Sequence, residues 1–341
     1  MAERNSGNED QRWMLHALSL AERGRGLASP NPCVGAVIVH RGRCVGVGYH
    51  CGPGTPHAEV HALRRAGVRA KNATLYVTLE PCSTHGRTGP CTEAILQAGL
   101  RRVVVGTTDP NPRHQGQGCL ILEQAGLELT RDVEESRCRE MIAGFSTWIT
   151  KGRPRVTLKA ALSLDGRITR LPGEPKRMSS PSSWKKVLET RAHADAILVG
   201  GETVRTDNPR LHVPCRSRGS QPWRVVMTRS GSLPIHSHVF AEPERSLIYR
   251  DKSWPEVLQD LGQRGVTELL VEGGGQIHGG LRDAKLVDRV IFQLTPWLTC
   301  GDTPAVAGEG AQTNAEGLRL ISPTYEQVGP DLWGEAMYSA E

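Results

Sequence analysis

Between residues 57 and 91 the chain gathers side chains able to hold a metal and move a proton, in PHAEVHAL and then TLEPCSTHGRTGPC. His57, Cys82 and Cys91 offer one imidazole and two thiolates, a zinc donor set that leaves the fourth tetrahedral position for water. Bound Zn²⁺ lowers the pKa of such a water to about 7, and a carboxylate beside it can carry the released proton to a leaving group. Glu59 is the candidate shuttle. This is the chemistry of hydrolytic deamination.

The elements that must position these groups follow from the pattern around them. Apolar spacing predicts a first helix over 10–22, and VGAVIVH and RCVGVGYH, joined by Arg41-Gly42, predict a hairpin of two buried strands. A helix is expected over 57–66, a strand over 73–79, a helix over 91–98, a strand over 102–106 and a helix over 117–125: alternating α/β, with a mostly parallel sheet. His57 and Glu59 stand about 200° apart on a regular helix, so both face one metal only if His57 sits at an irregular first turn, which Pro56 favours. Cys82 follows Pro81 after a strand. Cys91 follows Pro90 at a helix start, where the positive end of the dipole favours thiolate.

Other metal readings are weaker. His57 and His61 are four apart, but HAEVH lacks the glutamate position of HExxH, so His61 reads as structural. Cys33, Cys44, Cys119, Cys138, Cys215 and Cys300 read as inert packing rather than ligands. Nine cysteines, an odd number scattered along 341 residues, do not form a disulfide framework, which points to a reducing compartment. The polar MAERNSGNED start and the lack of any apolar run near eighteen residues predict a cytoplasmic protein outside the membrane. A net charge of +6 without a basic block, and only 4% aromatics, argue against nucleic acid and for a small anionic ligand.

Zinc deaminases share H-x-E followed by P-C-x-x-C. Here eight residues separate Cys82 from Cys91, and the inserted STHGRTGP brings His85 and Arg87 toward the metal, where a cation could meet a substrate phosphate. With PNPCVGAVIV, GYH, PHAEVHAL, TLEPCSTHGRTGPC and DPNP, residues 10–150 resemble the deaminase domain of the bifunctional riboflavin-biosynthesis deaminase/reductase family. The resemblance implies a cytidine-deaminase-like α/β/α domain over 1–150, with His57, Cys82 and Cys91 as Zn²⁺ ligands. It also implies Glu59 as proton acceptor and donor, and substrate contacts at Asn31, His50 and Arg87. Thr84 stands where the family often has histidine.

Near Lys151-Gly152-Arg153-Pro154 the pattern restarts. Strands are expected over 156–162, 196–199, 224–228, 246–249, 268–271 and 290–294, with helices over 182–192, 254–263 and 276–284, and a loop over 171–183. Two glycine turns follow apolar strands, Gly200-Gly201 and Gly273 to Gly275, and a helix from Gln276 would point its positive end at a phosphate. The spacing is not the Rossmann fingerprint.

KAALSLDGRIT, TRAHADAILVGGETVRTDNPRL and LVEGGGQIHGGL resemble the reductase half of the same family. This implies a dihydrofolate-reductase-like α/β domain over 151–341 that uses NADPH. Ala161, Thr203, Asp207 and the run Gly274, Gly275, Gln276, Ile277, His278, Gly279, Gly280 would contact the cofactor. Arg191, Leu211 and Glu272 would contact the phosphoribosyl substrate, a small molecule, and the resemblance allows a homo-oligomer. Pro175 and Arg177 replace a family serine and tryptophan. Pro214 stands in place of the phosphate-binding arginine, leaving that role to Arg210 or Arg216, and Arg229 reads either as a contact for the cofactor's extra phosphate or as a solvated loop charge. The competing readings are a deaminase whose second domain only binds, a related pathway, or a nucleic-acid deaminase with an accessory domain.

Overall fold

A computed structural model describes residues 2–85, 89–168, 178–214, 216, 220–229, 232–308, 310 and 319–338, with side chains from residue 7. Arg87, Pro175, Arg177 and Cys215 lie outside the described residues. The chain divides into two units, Met1–Gly152 and Arg153–Glu341.

The first unit runs α1 (Ala2–Ala21), β1 (Gly35–His40), β2 (Arg43–Tyr49), α2 (Ala58–Ala66), β3 (Thr74–Val77), α3 (Cys91–Gln97) and β4 (Arg102–Val105), and then α4 (Gln117–Gln124), β5 (Glu128–Thr130), α5 (Glu135–Met141) and α6 (Ala143–Lys151). Its sheet has the order β2-β1-β3-β4-β5. β1 pairs antiparallel with β2 and β3, while β3-β4 and β4-β5 are parallel, so the sheet is half antiparallel rather than mostly parallel. The β1–β2 hairpin accounts for the difference: β1 turns straight back into its neighbour and then pairs with β3 in the same sense.

Alternation along the strands decides what covers each face. Ala36, Ile38, Leu75, Val77, Val103 and Val105 face a core built with Ala58, Ala62, Ile95 and Leu122 of α2, α3 and α4. Val37, Val39, Tyr76 and Val104 face Trp13, Met14, Ala17 and Leu18 of α1, with Cys138 and Met141 of α5. A polar clasp ties α1 down on its face: Asp10 accepts both guanidinium nitrogens of Arg102, at 2.9 and 2.6 Å, and the Tyr76 hydroxyl at 2.9 Å. On the other face α2 lies almost against β2. A Cβ added at Gly48 would stand 2.1 Å from Ala58 O, and one at Gly46 2.3 Å from Ala62 O.

The second unit runs β6 (Arg155–Leu162), α7 (Pro181–His193), β7 (Ala196–Gly200), α8 (Gly201–Asp207), β8 (Trp223–Thr228), β9 (Ser246–Arg250) and α9 (Trp254–Gln263), and then β10 (Glu268–Val271), α10 (Gly275–Asp283), β11 (Arg289–Leu294), β12 (Leu320–Val328) and β13 (Asp331–Tyr338). Its eight strands lie in the order β12-β13-β11-β6-β10-β7-β8-β9. Six of them, from β11 to β9, are parallel. β13 and β12 add an antiparallel margin. Val156, Leu158, Leu198 and Val225 pack on one face under Val257, Leu258 and Leu261 of α9 and Leu281 of α10. Ile197, Val199 and Val226 fill the opposite face with Val204 of α8. Ser180 caps α7, accepting from Ser183 N–H, and Ser253 forms a capping box with Glu256 at the start of α9.

Candidate active sites

In the first unit the sequence places His57 one residue before the helix. It is the N-cap of α2, with extended backbone at φ −70° and ψ 165°, and Glu59 lies in the first turn. That break in helical geometry lets both residues face one point, where a continuous helix would hold them on opposite sides. Pro90 caps α3, so Cys91 opens that helix with its side chain buried. Cys82 lies between β3 and α3, outside any regular element.

His57 Nδ1 lies 3.2 Å from Cys91 Sγ and 3.5 Å from Cys82 Sγ, and Cys82 Sγ accepts the Cys91 N–H at 3.3 Å. All three ligand atoms fall within 4.8 Å of one another, the one such group found among the described residues. Tetrahedral zinc bonded to nitrogen and sulfur at its usual distances separates those donors by about 3.6 Å, so the donor set fits the metal in both chemistry and spacing.

The titrations show how crowded this corner is. Burial, and then the charge of Cys82, push the Glu59 carboxyl up to about 7. Cys82 is held low by the hydrogen bond from the Cys91 thiol, with burial opposing and His57 helping, while Cys91 is pushed up by that same hydrogen bond and by burial. Metal binding requires both thiols in their deprotonated form. His57 is raised by its hydrogen bond to Cys82 against burial.

Asn31 and His50 sit beside this group and bond each other. Asn31 Nδ2 donates to His50 Nε2 at 3.0 Å, which puts the imidazole proton on Nδ1, 3.4 Å from Pro56 O. Burial lowers the His50 pKa, in keeping with a ring nitrogen that accepts the Asn31 amide. Its plane meets that of His57 edge-on, with centroids 5.4 Å apart. His85 is exposed. One buried residue that the sequence reading passed over is Glu80, immediately before Pro81-Cys82, whose carboxylate accepts three backbone N–H groups. Its only local signal is an acid in front of P-C.

In the second unit a cavity of about 1100 Å³ opens where β7, β8 and β10 end. Thr203, Asp207, Gly274, Gly275, Gln276, Ile277 and Gly280 line it, as does Arg229, which is exposed. Trp254, Thr228, Asp302 and Thr303 also line it and were not singled out from sequence. Their roles come from chain folding back, not from any motif. A Cβ at Gly275 would stand 2.2 Å from Pro304 O, so the first turn of α10 can lie under that strand of backbone only as glycine.

Three of the expected cofactor residues are placed differently. Ala161 is half-buried on β6 and is not among the lining residues, and His278 and Gly279 face inward. The His278 ring is bonded at Nδ1 to Ala305 O, 2.8 Å, and at Nε2 to Val271 O, 3.3 Å. Of the expected substrate residues, Arg191 and Glu272 grip each other: Nε to Oε1 at 2.9 Å and Nη2 to Oε2 at 2.5 Å. The guanidinium also lies 5.0 Å from the Trp184 ring. Leu211 has left-handed backbone, φ 49°, and a buried side chain, which leaves its peptide as the group available to a ligand. Arg216 bonds the carbonyls of Ala192 and Ser220, whereas Arg210 is exposed.

Comparison with known proteins bears on both units. Residues 7–107 match the family described as the cytidine and deoxycytidylate deaminase zinc-binding region, and residues 154–333 match the RibD C-terminal domain. The chain is 38% identical to riboflavin biosynthesis protein RibD of Aquifex aeolicus, over 95% of this chain and 97% of that one. It is 36% identical to RibD of Escherichia coli, over 95% and 98%. Among solved structures, Acinetobacter baumannii RibD superposes with a TM-score of 0.89 at 33% identity, covering 98% of this chain and 99% of that one. A Thermotoga maritima diaminohydroxyphosphoribosylaminopyrimidine deaminase/5-amino-6-(5-phosphoribosylamino)uracil reductase gives 0.88 at 32% identity, covering 98% and 100%. Among the described residues no helix is long and apolar enough to cross a membrane.

Proposed function

The chain belongs to the RibD family of riboflavin biosynthesis proteins, and from that premise we propose how its two units divide the work. It is a bifunctional enzyme of riboflavin biosynthesis. The first unit deaminates 2,5-diamino-6-(5-phosphoribosylamino)pyrimidin-4(3H)-one by hydrolysis. The second reduces the ribosyl chain of the product with NADPH, giving 5-amino-6-(5-phosphoribitylamino)uracil. The observation that carries the reading is the His57, Cys82 and Cys91 group with a buried carboxyl, Glu59, two residues from one of its members.

His57, Cys82 and Cys91 would hold Zn²⁺, which supplies Lewis acidity that makes water nucleophilic near neutral pH. Glu59, buried beside that group, can accept the proton of the attacking water and return it to the amine nitrogen as the C–N bond breaks. The Asn31–His50 pair, held by its hydrogen bond, would orient the pyrimidine, and Arg87 would meet its phosphate. Burial keeps bulk water off Glu59.

In the second unit NADPH would occupy the 1100 Å³ cavity and supply a hydride to the ring-opened ribose carbon. The N-terminal turn of α10 at Gly274 to Gln276 faces that space and would take a phosphate on its backbone N–H groups. Thr203, Asp207 and Arg229 would fix the rest of the cofactor. Arg191 and Glu272 would orient the phosphoribosyl chain while keeping each other neutralised. The chain's work here is alignment, since hydride transfer needs no protein nucleophile.

The proposal takes the substrate to be a free small molecule, not a base within nucleic acid. It assigns the enzyme to a reducing cytoplasm, which suits eight described cysteines none of which is joined in a disulfide. The test is a two-stage assay on zinc-loaded protein. Ammonia should be released from the diaminopyrimidine without NADPH, and NADPH should then be oxidised only once the deaminated product is present. No ammonia would sink the first assignment; ammonia without NADPH oxidation would sink the second.

A further inference from the structure

Glu80 is a buried carboxylate that the proposed chemistry does not use. It stands two residues before Cys82 and is 4% exposed. Its Oε2 accepts the N–H groups of Asp109, at 3.0 Å, and Gly116, at 2.9 Å, and its Oε1 accepts that of Cys119 at 3.2 Å. Its own N–H donates to Thr107 O at 2.9 Å. Converging N–H donors of this kind offset the cost of burying a carboxylate. Two of them, at Gly116 and Cys119, belong to the N-terminal turn of α4, whose dipole favours the negative charge.

A steric contact acts at the same place. A Cβ on Gly118 would lie 1.9 Å from Pro81 O and 3.4 Å from Glu80 Cγ, so α4 rests directly on the peptide that leads into Cys82. Cys82 has no helix or strand of its own to hold it. The backbone just before it is fixed by the Glu80 carboxylate pulling α4 in and by Gly118 letting it come close.

We infer that Glu80 is a positioning residue for Cys82: it clamps the segment from Thr107 to Cys119 behind the Pro81 peptide and so sets where the Cys82 sulfur stands. The inference rests on the zinc reading of His57, Cys82 and Cys91. Glu80→Gln keeps the volume but turns an NH₂ group toward backbone N–H donors, which leaves at least one of them unpaired.

The test is zinc affinity of the full chain in competition with a chromophoric chelator, together with the thiolate-to-metal charge-transfer band of the Co²⁺-loaded protein. Glu80→Gln is expected to weaken zinc binding by about 10- to 100-fold, the usual effect of removing an outer-shell partner, and to alter the Co²⁺ band. Gly118→Ala leaves the carboxylate in place but pushes α4 off Pro81. It is expected to weaken zinc binding in the same direction, and it decides the matter if Glu80→Gln does not fold. Wild-type affinity and a wild-type Co²⁺ band in the folded variants would overturn the inference, even if their melting temperatures fall. Wild-type protein that binds no zinc, or Cys82→Ala that binds it undiminished, would sink the zinc reading itself and the positioning role with it.

Discussion

Glu59 in the first unit and Glu272 in the second, both largely enclosed, are shifted in opposite directions. Glu59 is pushed up to about 7, first by burial and then by the neighbouring Cys82 charge. Glu272 is also pushed up by burial, but the Arg191 guanidinium outweighs that cost, by its charge and its hydrogen bonds, and holds the carboxyl below the usual glutamate value. Burial raises both carboxyls, and the guanidinium reverses the sign at Glu272, which becomes a fixed anion that orients its partner. The first is suited to proton transfer and the second to holding a ligand-facing guanidinium still.

The sharpest way to break this contrast is at Glu59. Glu59→Gln should cut ammonia release by about 10²- to 10⁴-fold, the range for a lost general acid–base, with zinc content unchanged and NADPH oxidation of supplied deaminated product near wild type. If ammonia release persists at the normal rate in zinc-replete protein, Glu59 is no shuttle.

At the other carboxylate the expected effect is on stability. Arg191→Met leaves Glu272 buried without its cation and should cost about 3–5 kcal/mol in urea unfolding at pH 7. The pH dependence should also invert. In the wild type, the Glu272 pKa lies below its unfolded value, so its stabilising contribution is present above about 4.5 and is lost as pH falls through the folded pKa. In Arg191→Met burial is opposed only by the smaller effects of Lys159 and His278, the folded pKa is expected to rise above the unfolded one, and the residue's contribution then falls as pH rises past about 4.5. Urea midpoints from pH 3.5 to 8 distinguish the two slopes; parallel curves would mean that Arg191 does not set the Glu272 titration.

A smaller effect is expected where the frame of Glu59 is tightest. Gly48→Ala puts a methyl 2.1 Å from Ala58 O, so α2 must lift from β2, at a cost of about 1–3 kcal/mol. Ammonia release should suffer more than NADPH oxidation, because α2 carries Glu59 and no part of the second unit. Equal losses in both assays would show that the damage is general. The mildest change is Arg229→Ala at the cavity: about a tenfold rise in KM for NADPH, as for one lost charge-assisted hydrogen bond, with the melting temperature within a degree. A matching rise in KM for NADH would remove Arg229 from any role at the extra phosphate.

How much of this was readable in the sequence differs between the two sites for a physical reason. In the first unit the ligands come from residues whose types and flanking prolines announce them, and the one geometric difficulty, the 200° between His57 and Glu59, is resolved by an N-cap that Pro56 foreshadows. Glu80 was not legible, because its meaning lies in contacts with Asp109, Gly116 and Cys119, 29 to 39 residues away. In the second unit the glycine turn and its helix are plain in sequence, and most of the named residues line the cavity. That Arg191 closes on Glu272, that Arg216 is spent on carbonyls, and that His278 points inward are facts of pairing, and residue type carries no trace of them. The strands β12 and β13 also escaped notice. Most of β12 is exposed, so it lacks the buried apolar run that marked the central strands.

The parallel order of the second sheet has a consequence for how the molecule comes into being. Strand β6 opens the unit, yet the residues it pairs with arrive far downstream: Val156 meets Leu269, 113 positions later, and Leu158 meets Val290, 132 positions later. The middle of that sheet cannot close during synthesis until nearly all of the unit has emerged, and each such closure carries the entropy of a long loop. The hairpin at the heart of the first unit closes within fifteen residues, Gly35 on Tyr49. A ribosome making this chain therefore holds a first sheet able to form while the centre of the second is still waiting for its partners.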